Sequence, residues 1–247
     1  MNLGPELIEP EWDAPPGVHA AFTLRTGGVS APPFDSFNCA AHVGDEPQAV
    51  ARNRALLRER LALPAEPAWL EQVHGRHTVA LEEAGGARRT ADAAVTRAAG
   101  RVCVVQVADC LPVLLASRDG AAVGAAHAGW RGLAAGVLES AVRALGAAPA
   151  EVLAWLGPAI GPGHFEVGEE VRAAFIGTDP AASAAFAPNA RGRWQCDLYA
   201  LARRRLAALG VGRVWGGQWC TYADSARFFS YRREGRCGRM AALIWRT

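Results

Sequence analysis

The feature that most restricts the fold is a series of short runs that stay apolar at successive positions. Runs such as P-V-L-L-A and V-L-A-W-L do not alternate with polar residues, as a strand with one wet face would. We therefore predict strands that are covered on both sides, with helices outside the sheets. The predicted strands are Val102–Ala108, Pro112–Ala116, Ala121–Ala126, Val152–Leu156, Val214–Trp219, Phe228–Arg232 and Met240–Trp245.

Helical periodicity and capping residues predict four helices between these strands. They are a helix opened by an Asp45–Gln48 capping box and ending near Leu61, one over Leu133–Leu145 that stops at Gly146, one from the N-cap Asp197 to Gly210, and a short one after Val167. The chain shows no linker and no internal repeat, so we predict one domain over residues 1–247.

Composition excludes several classes of protein. Apolar runs are broken within about a dozen residues, which is too short for a membrane span, and the first ten residues lack the pattern of a secretory signal. The net charge of +2 excludes a dedicated nucleic-acid binder. None of the six cysteines forms a C-x-x-C pair, so we expect reduced thiols and a cytoplasmic protein.

The chain has no lysine, and all 26 of its basic residues are arginines. This excludes a Schiff-base lysine, a pyridoxal-phosphate anchor and a P-loop lysine. Any phosphate must therefore be held by arginine, by backbone N–H groups or by a metal ion.

Three residues able to bind a metal follow strand-like runs: His74 in E-Q-V-H-G, Cys110 in V-A-D-C-L-P and His127 in A-A-H-A-G-W-R-G. Imidazole and thiolate suit zinc or copper, and three protein ligands with an open fourth position are typical of catalytic zinc. The three residues lie far apart in sequence, and no spacing rule brings them together. From the residues alone, a core cysteine and satisfied buried histidines are the favoured interpretation.

Other polar residues have two interpretations each. Gly129 and Arg131 in H-A-G-W-R-G fit either an anion site or an ordinary strand-to-helix turn. Asp92 and Asp109 either orient a ligand histidine or fix a loop, and Glu166 is either a base or part of the first turn of a helix. The clustered arginines are expected on solvated faces or beside carboxylates: Arg203–Arg205, Arg232, Arg233, Arg236 and Arg239.

Taken in order, the motifs resemble the bacterial laccase-domain family. The family is also called multicopper polyphenol oxidase-like, and its members are regarded as purine nucleoside phosphorylases. The matching runs are R-T-G-G-V-S, H-V-G-D, E-Q-V-H-G, A-D-A-A-V-T, V-A-D-C-L-P-V-L-L, A-A-H-A-G-W-R-G, L-G-P-A-I-G-P, F-E-V-G, W-C-T-Y and F-F-S-Y-R-R-E-G-R-C-G-R-M-A. They cover the chain from about residue 20 onward. The sequence departs from the family pattern at N-C-A-A-H-V-G and at His164, to which the resemblance assigns no role.

The resemblance implies a site, a fold and an activity. Its metal ligands are His74, Cys110 and His127, holding zinc or alternatively copper. Its catalytic residues are Arg131, Asp109 and Arg25, and its substrate-binding residues are His42, Asn38, Gly129 and Glu166. The implied fold is α+β, a four-layer α/β/β/α sandwich with mixed sheets similar to the cysteine-hydrolase-like fold of deamidase toxins.

The implied reaction is phosphorolysis, in which phosphate cleaves a purine nucleoside. Adenosine, inosine, guanosine and methylthioadenosine would give the free base and (methylthio)ribose-1-phosphate, with a side adenosine deaminase activity. Three alternatives stay open: a copper-dependent polyphenol oxidase, a hydrolase or deamidase with Cys110 as nucleophile and His127 as base, and a non-catalytic binding protein. No nucleic acid or membrane is expected as a partner, and the sequence leaves the oligomeric state open.

Overall fold

Strands form several sheets in this computed structural model, which describes residues 4–83 and 89–247. The strands are β1 Leu7–Ile8, β2 Val18–Thr23, β3 Leu70–Glu71, β4 Thr78–Ala80, β5 Arg89–Thr90, β6 Ala93–Thr96, β7 Val102–Val107, β8 Leu111–Ser117, β9 Val123–Ala128, β10 Val152–Leu156, β11 Glu166–Val167, β12 Phe186–Pro188, β13 Trp194–Cys196, β14 Arg213–Gly216 and β15 Met240–Arg246.

Six α-helices and two short 3-10 helices, within the described ranges, join these strands. The α-helices are α1 Pro47–Leu61, α2 Trp130–Ala135, α3 Val137–Leu145, α4 Glu169–Ile176, α5 Leu198–Leu209 and α6 Tyr231–Glu234; the 3-10 helices are Pro149–Glu151 and Pro180–Ala185. Strands and helices alternate irregularly along the chain, and the sheets mix parallel and antiparallel pairs. The fold is therefore α+β.

Two larger sheets carry the core. One has the strand order β1-β2-β15-β7 and the other β14-β10-β8-β9-β6-β4. Strands β7 and β15 of the first sheet pack on β8 and β9 of the second. Their shared apolar cluster includes Val105 and Ile244 from one side and Leu114 and Ala125 from the other. This double coverage is the reason why β7, β8, β9 and β10 are buried at every position.

The outer faces of the two sheets are covered by helices. Leu56 and Leu57 of α1 pack against Val104 and Leu243 of the first sheet. Helices α3 and α5 contribute their apolar residues to the cluster on the outer face of the second sheet. Two smaller sheets, β11-β13-β12 and β3-β5, are not hydrogen-bonded to the larger ones but contribute Val167, Phe186, Cys196 and Leu70 to the same apolar clusters.

The four predicted helices form, but one of them is divided in two and the start of another differs from the prediction. Asp197 caps α5 by accepting a hydrogen bond from the Ala200 N–H at 3.0 Å, and Gly210 ends that helix with a φ of 93°. The predicted helix over Leu133–Leu145 is instead two helices, because Gly136 takes a left-handed φ of 96° between α2 and α3.

The capping box predicted at Asp45 is wrong. Glu46 is the N-cap of α1 and makes no side-chain cap. The Asp45 carboxylate instead accepts hydrogen bonds from the Ser30 hydroxyl at 2.6 Å and the Asn38 amide at 2.8 Å. Its other oxygen accepts from the N–H of the N-cap residue Glu46 at 2.8 Å, so the carboxylate joins the preceding loop to the residue before the helix.

Two predicted strands need correction. The strand at Val214–Trp219 is the shorter β14, which ends at Gly216, where φ is 75°. The strand at Phe228–Arg232 does not form. Ser230 accepts a hydrogen bond from the Arg233 N–H and so starts α6.

Candidate metal centre

Three loop or strand positions bring the predicted metal ligands together. His74 follows β3 with a left-handed φ of 59°, Cys110 lies between β7 and β8, and His127 is in β9. Pro112 of β8 pairs with His127 of β9, which places Cys110 beside that imidazole. The convergence depends on sheet pairing, which explains why no local spacing rule could reveal it.

One ligand atom from each of His74, Cys110 and His127 lies within 4.8 Å of the other two. His127 is buried, Cys110 is half-buried and His74 is exposed, so the cluster opens on one side. Donor atoms of one tetrahedral zinc ion are about 3.5 Å apart, given the usual zinc–nitrogen and zinc–sulfur bond lengths. The observed spacing needs only small side-chain rotations to reach such a shell, so the cluster can hold a metal ion.

Asp92 positions two of the three ligands. One carboxylate oxygen lies 2.8 Å from His127 Nδ1 and accepts from the His74 N–H at 2.9 Å. The other accepts from the Gly75 N–H at 2.6 Å. Burial disfavours the charged carboxylate, but the hydrogen bonds from His127 and Gly75 outweigh it and lower the pKa of Asp92. With Nδ1 facing a carboxylate, Nε2 of His127 is left for the metal.

Cys110 and His127 form a coupled pair in the metal-free protein. Burial opposes both charged forms, yet the attraction between thiolate and imidazolium, with their hydrogen bond, outweighs it. The pKa of Cys110 is thereby lowered and that of His127 is raised. Thiolate is the form of cysteine that binds metals, so the site favours the ligating state of its sulfur.

The backbone at Gly129 approaches the cluster closely. A Cβ atom built there would lie 2.7 Å from Cys110 Sγ and 3.5 Å from His74 Cδ2. Cβ atoms do not approach a neighbour at 2.7 Å, so only glycine fits without a shift of the ligands.

A cavity of about 260 Å³ adjoins the cluster. It is lined by His74, Ala108, Asp109, Cys110, Trp130, Arg131, Ile160, Phe165, Leu198, Tyr231 and Arg232. The Arg131 guanidinium stacks on the Trp130 ring at 4.4 Å, and none of the ion pairs between described residues involves it. A cation without a carboxylate partner, beside aromatic rings, can bind an anionic ligand.

Asp109 lies at this cavity but its carboxylate is fully engaged. One oxygen accepts from the Thr221 hydroxyl at 2.6 Å and the other from the Arg232 N–H at 2.7 Å. The residue takes a left-handed φ of 86°, immediately before Cys110. The carboxylate therefore ties the Cys110 loop to the segment that begins α6.

His42 and Asn38, both predicted to bind substrate, have different surroundings. Desolvation and the positive charges of Arg239 and Arg54 lower the pKa of His42, and the charges of His74 and His127 lower it further. Asn38 is buried, and its amide bonds to Ala40 and to Asp45.

Glu166 and Arg25 lie outside the residues that line the described cavity. The Glu166 carboxylate bonds to Asn189 and Arg191, each at 2.6 Å, and its carbonyl accepts from the Arg232 guanidinium at 2.9 Å. Arg25 donates to the Glu234 carboxylate of α6 at 2.8 Å. Glu166 thus contacts Arg232, which lines the cavity, and Arg25 contacts α6, which carries Arg232. Neither Glu166 nor Arg25 lines the cavity itself.

Sequence reasoning missed the aromatic part of the cavity. Trp130, Phe165 and Tyr231 each lie within a quoted motif, but nothing in their spacing indicates that they face one space. Arg232, expected on a solvated face or beside a carboxylate, lines this cavity and lies over the Phe165 ring at 5.3 Å. Its missed signal is the F-F-S-Y-R-R motif, which contributes two lining residues in succession.

The fold and the cluster together define an α+β protein with a His–Cys–His centre that opens into a cavity. The chain belongs to the family described as multi-copper polyphenol oxidoreductase laccase, whose model matches residues 19–247.

Two relatives named for an enzymatic activity align with nearly the full chain. The chain is 52% identical over 240 residues to the purine nucleoside phosphorylase YfiH of Escherichia coli, covering 97% of this chain and 98% of the relative. It is 53% identical over 240 residues to the purine nucleoside phosphorylase PA4543 of Pseudomonas aeruginosa, covering 96% and 97%.

Solved structures share the fold. The Neisseria meningitidis protein NMB0706 is 47% identical with a TM-score of 0.94, covering 97% of this chain and 98% of that one. YlmD from Geobacillus stearothermophilus is 32% identical with a TM-score of 0.90, covering 99% and 98%. Across residues 4–83 and 89–247, no helix combines the length and apolar character needed to cross a bilayer.

Proposed function

We propose that this chain is a metal-dependent purine nucleoside phosphorylase. The observation that carries the proposal is the His74–Cys110–His127 cluster beside a cavity with an arginine and aromatic rings. The names of the relatives from Escherichia coli and Pseudomonas aeruginosa support the same reaction. Adenosine, inosine, guanosine and methylthioadenosine are the proposed substrates, and adenosine deamination is the proposed side activity.

Zinc is the metal that the donor set favours, with copper as the alternative. When bound, zinc would supply Lewis acidity and could activate water, which is the chemistry that a deamination needs. The residues that would hold it are His74, Cys110 and His127. Asp92 keeps the His127 imidazole in the orientation that the ion requires.

Phosphorolysis breaks the C1′–N9 bond of the nucleoside. A phosphate oxygen forms the new bond to C1′, while the electron pair of the old bond leaves with the purine, which then takes a proton. We propose that Arg131, which makes no ion pair with a described residue, holds the phosphate, since the chain has no lysine to do so. Positioning and preorganised charge account for most of the rate in such reactions.

The purine is proposed to stack among the aromatic side chains of the cavity. Trp130, Phe165 and Tyr231 line it, and Tyr231 is 57% exposed, so its ring is available to a ligand. Gly129 lets the backbone approach the cluster, and the charges of His74 and His127 contribute to the lowered pKa of His42. Both are proposed to contact the substrate.

The other predicted site residues are proposed to act through their neighbours. Asp109 holds the Arg232 backbone, and Glu166 holds its guanidinium. Arg25 holds Glu234 in α6, and Asn38 holds the loop that carries His42. In these positioning roles the four residues hold their neighbours in place and do not touch the reacting atoms.

Several coarser features belong to the same proposal. We propose one domain over residues 1–247 with an α/β/β/α layer order, which the three apolar clusters support. The similarity to cysteine hydrolases remains a prediction. The cytoplasm is the proposed compartment, and the absence of disulfides among the six cysteines agrees with it.

The direct test incubates purified protein with inosine and phosphate and detects hypoxanthine by chromatography. Hypoxanthine that appears only with phosphate supports phosphorolysis, whereas equal release without phosphate would indicate hydrolysis. Cys110→Ala should lose metal and phosphorolysis together, and the buried Cys196→Ala, outside the cluster, should keep both. Unchanged metal content in Cys110→Ala would reject the ligand assignment.

A Cys–His hydrolase is the second candidate, because the pKa of Cys110 is lowered beside His127. In that case a chelator should leave the activity intact. A phosphorylase that depends on the metal should instead lose activity with chelator and regain it when zinc is added. Oxidation of phenols by the copper-loaded protein tests the oxidase alternative in the same way.

A further inference from the structure

A second cysteine–histidine pair lies outside the metal centre. Cys220 Sγ is 3.5 Å from His164 Nδ1 and accepts a hydrogen bond from the Gly161 N–H at 3.2 Å. Neither Cys220 nor His164 lines the cavity beside the metal cluster. The pair has a nucleophile and a base within reach of each other, which is the arrangement that activates a thiol.

The pair is held by contacts on both sides. The Tyr199 hydroxyl donates to the carbonyl of Trp219 at 2.9 Å. The Thr221 N–H donates to the carbonyl of Ala159 at 3.0 Å. The His164 ring stacks on the Tyr222 ring, with centroids 4.7 Å apart. These contacts fix the backbone on both sides of Cys220 and the ring of His164, so the two side chains are held beside each other.

The pair is also accessible. Cys220 and His164 line an open cavity of about 510 Å³, and Cys220 is half-buried. At the rim, a Cβ built on Gly163 would meet nothing within 4 Å. A small molecule can thus reach the sulfur from the solvent side.

The other thiols are less available. Four of them are buried: Cys39, Cys103, Cys196 and Cys237. Burial raises the pKa of each of these four thiols, which keeps them protonated and unreactive. Cys110 is half-buried within the metal cluster, where a bound ion would occupy its sulfur.

We infer that Cys220 is a nucleophilic thiol that forms mixed disulfides with low-molecular-weight disulfides, with His164 as its base. The thiol proton moves to His164 Nδ1 while Sγ attacks one sulfur of the disulfide. The S–S bond breaks, and its electron pair leaves with the second sulfur, which takes the proton back from the imidazolium. Cys220 ends oxidised as a mixed disulfide, and one molecule of the small thiol is released. This inference does not depend on the proposed phosphorylase activity.

The test treats the full-length, zinc-loaded protein with glutathione disulfide at neutral pH. Intact-protein mass spectrometry should show one adduct per chain that a reducing agent removes, and peptide mapping should place it on Cys220. Cys220→Ser should abolish the adduct. An adduct on Cys110, or one spread over several cysteines, would overturn the inference. Peptide mapping of the wild-type protein distinguishes these outcomes even if Cys220→Ser fails to fold.

The role of His164 is tested by the rate of adduct formation. His164→Gln removes the base and should slow the reaction at least about tenfold. His19→Gln is the matched control, because His19 is also exposed and stacked on an aromatic ring, that of Trp245, and no cysteine is among the contacts found for it. A His164→Gln protein with unchanged circular dichroism that reacts at the wild-type rate would refute a general-base role.

Discussion

Asp92 Oδ1 lies 2.8 Å from His127 Nδ1, and the same carboxylate accepts hydrogen bonds from the backbone of the His74 loop. One buried acid therefore sets the ring orientation of one ligand and the backbone of another. The strained left-handed φ of His74 persists because this carboxylate accepts the N–H groups on both sides of that Cα, from His74 and Gly75.

Asp92→Asn should weaken zinc binding about 10- to 100-fold, because the amide is uncharged and one of its two acceptor oxygens becomes a donor. The measurement is a zinc titration in competition with a chromophoric chelator. Asp119→Asn is the control, since Asp119 also accepts a hydroxyl and a backbone N–H but in the turn after β8. Equal zinc affinity in the wild type and Asp92→Asn would contradict a role for Asp92 in the site.

Gly129→Ala should reduce zinc occupancy and lower the free energy of unfolding by about 1–3 kcal/mol, the usual effect of overpacking. The new methyl group would collide with Cys110 Sγ. Elemental analysis and chemical denaturation measure the two effects. Gly163→Ala adds the same methyl group in open space and should change the stability by less than about 0.5 kcal/mol. Similar losses in both variants would show that the close approach at Gly129 is unimportant.

Arg131→Ala should raise the KM for phosphate about 10- to 100-fold, which corresponds to the loss of a hydrogen bond to a charged group. Steady-state rates at varied phosphate and at varied inosine separate the two substrates. Arg143→Ala removes an exposed arginine of α3 that lies outside the cavity of the metal centre and should leave the KM for phosphate unchanged. An effect of Arg131→Ala confined to the KM for inosine would assign the guanidinium to the nucleoside.

The metal-free protein should hold Cys110 as a thiolate at neutral pH. The pKa of Cys110 is lowered to about 6, so the thiolate persists at neutral pH, where an ordinary thiol is protonated, and it is lost on further acidification. Thiolate absorbance in the ultraviolet follows this titration, and Cys110→Ala provides the baseline. Absorbance that appears only at alkaline pH would contradict the ion pair with His127.

Zinc binding should release about one proton per ion at neutral pH. The pKa of His127 is raised, so its imidazolium must lose a proton before Nε2 can bind the metal. The affinity for zinc should therefore increase with pH until that pKa is passed. Calorimetry in two buffers of different ionisation enthalpy counts the protons, and identical heats in both buffers would refute the prediction.

Local signals in the sequence predicted local structure well. Helix α5 is confirmed because its N-cap Asp197 and its final Gly210 act within a few residues of themselves. The strand predicted at Phe228–Arg232 failed because its aromatic composition favours a strand, while the Ser230 side chain satisfies the first turn of a helix. In that segment hydrogen bonds to Ser230, and from the Arg232 N–H to Asp109, replace the pairing that a strand would need.

Contacts between residues that are distant in sequence could not be predicted from the residues alone. The sequence allows Asp92 either to orient a histidine or to fix a loop, and the structure shows that it does both. The partners of Asp109 are Thr221 and Arg232, more than a hundred residues along the chain. Only the pairing of distant strands brings such groups together, so the resemblance to a family, and not the spacing, identified the cluster.

The order of strands in the first sheet has a consequence during synthesis. Strand β15, residues 240–246, lies between β2 and β7 and pairs with both. A nascent chain therefore exposes two unpaired strand edges until these residues leave the ribosome, and such edges invite contacts with other chains. Strands β2 and β7 therefore lack their shared partner while the residues between them and β15 are made, and the sheet closes only once β15 is available.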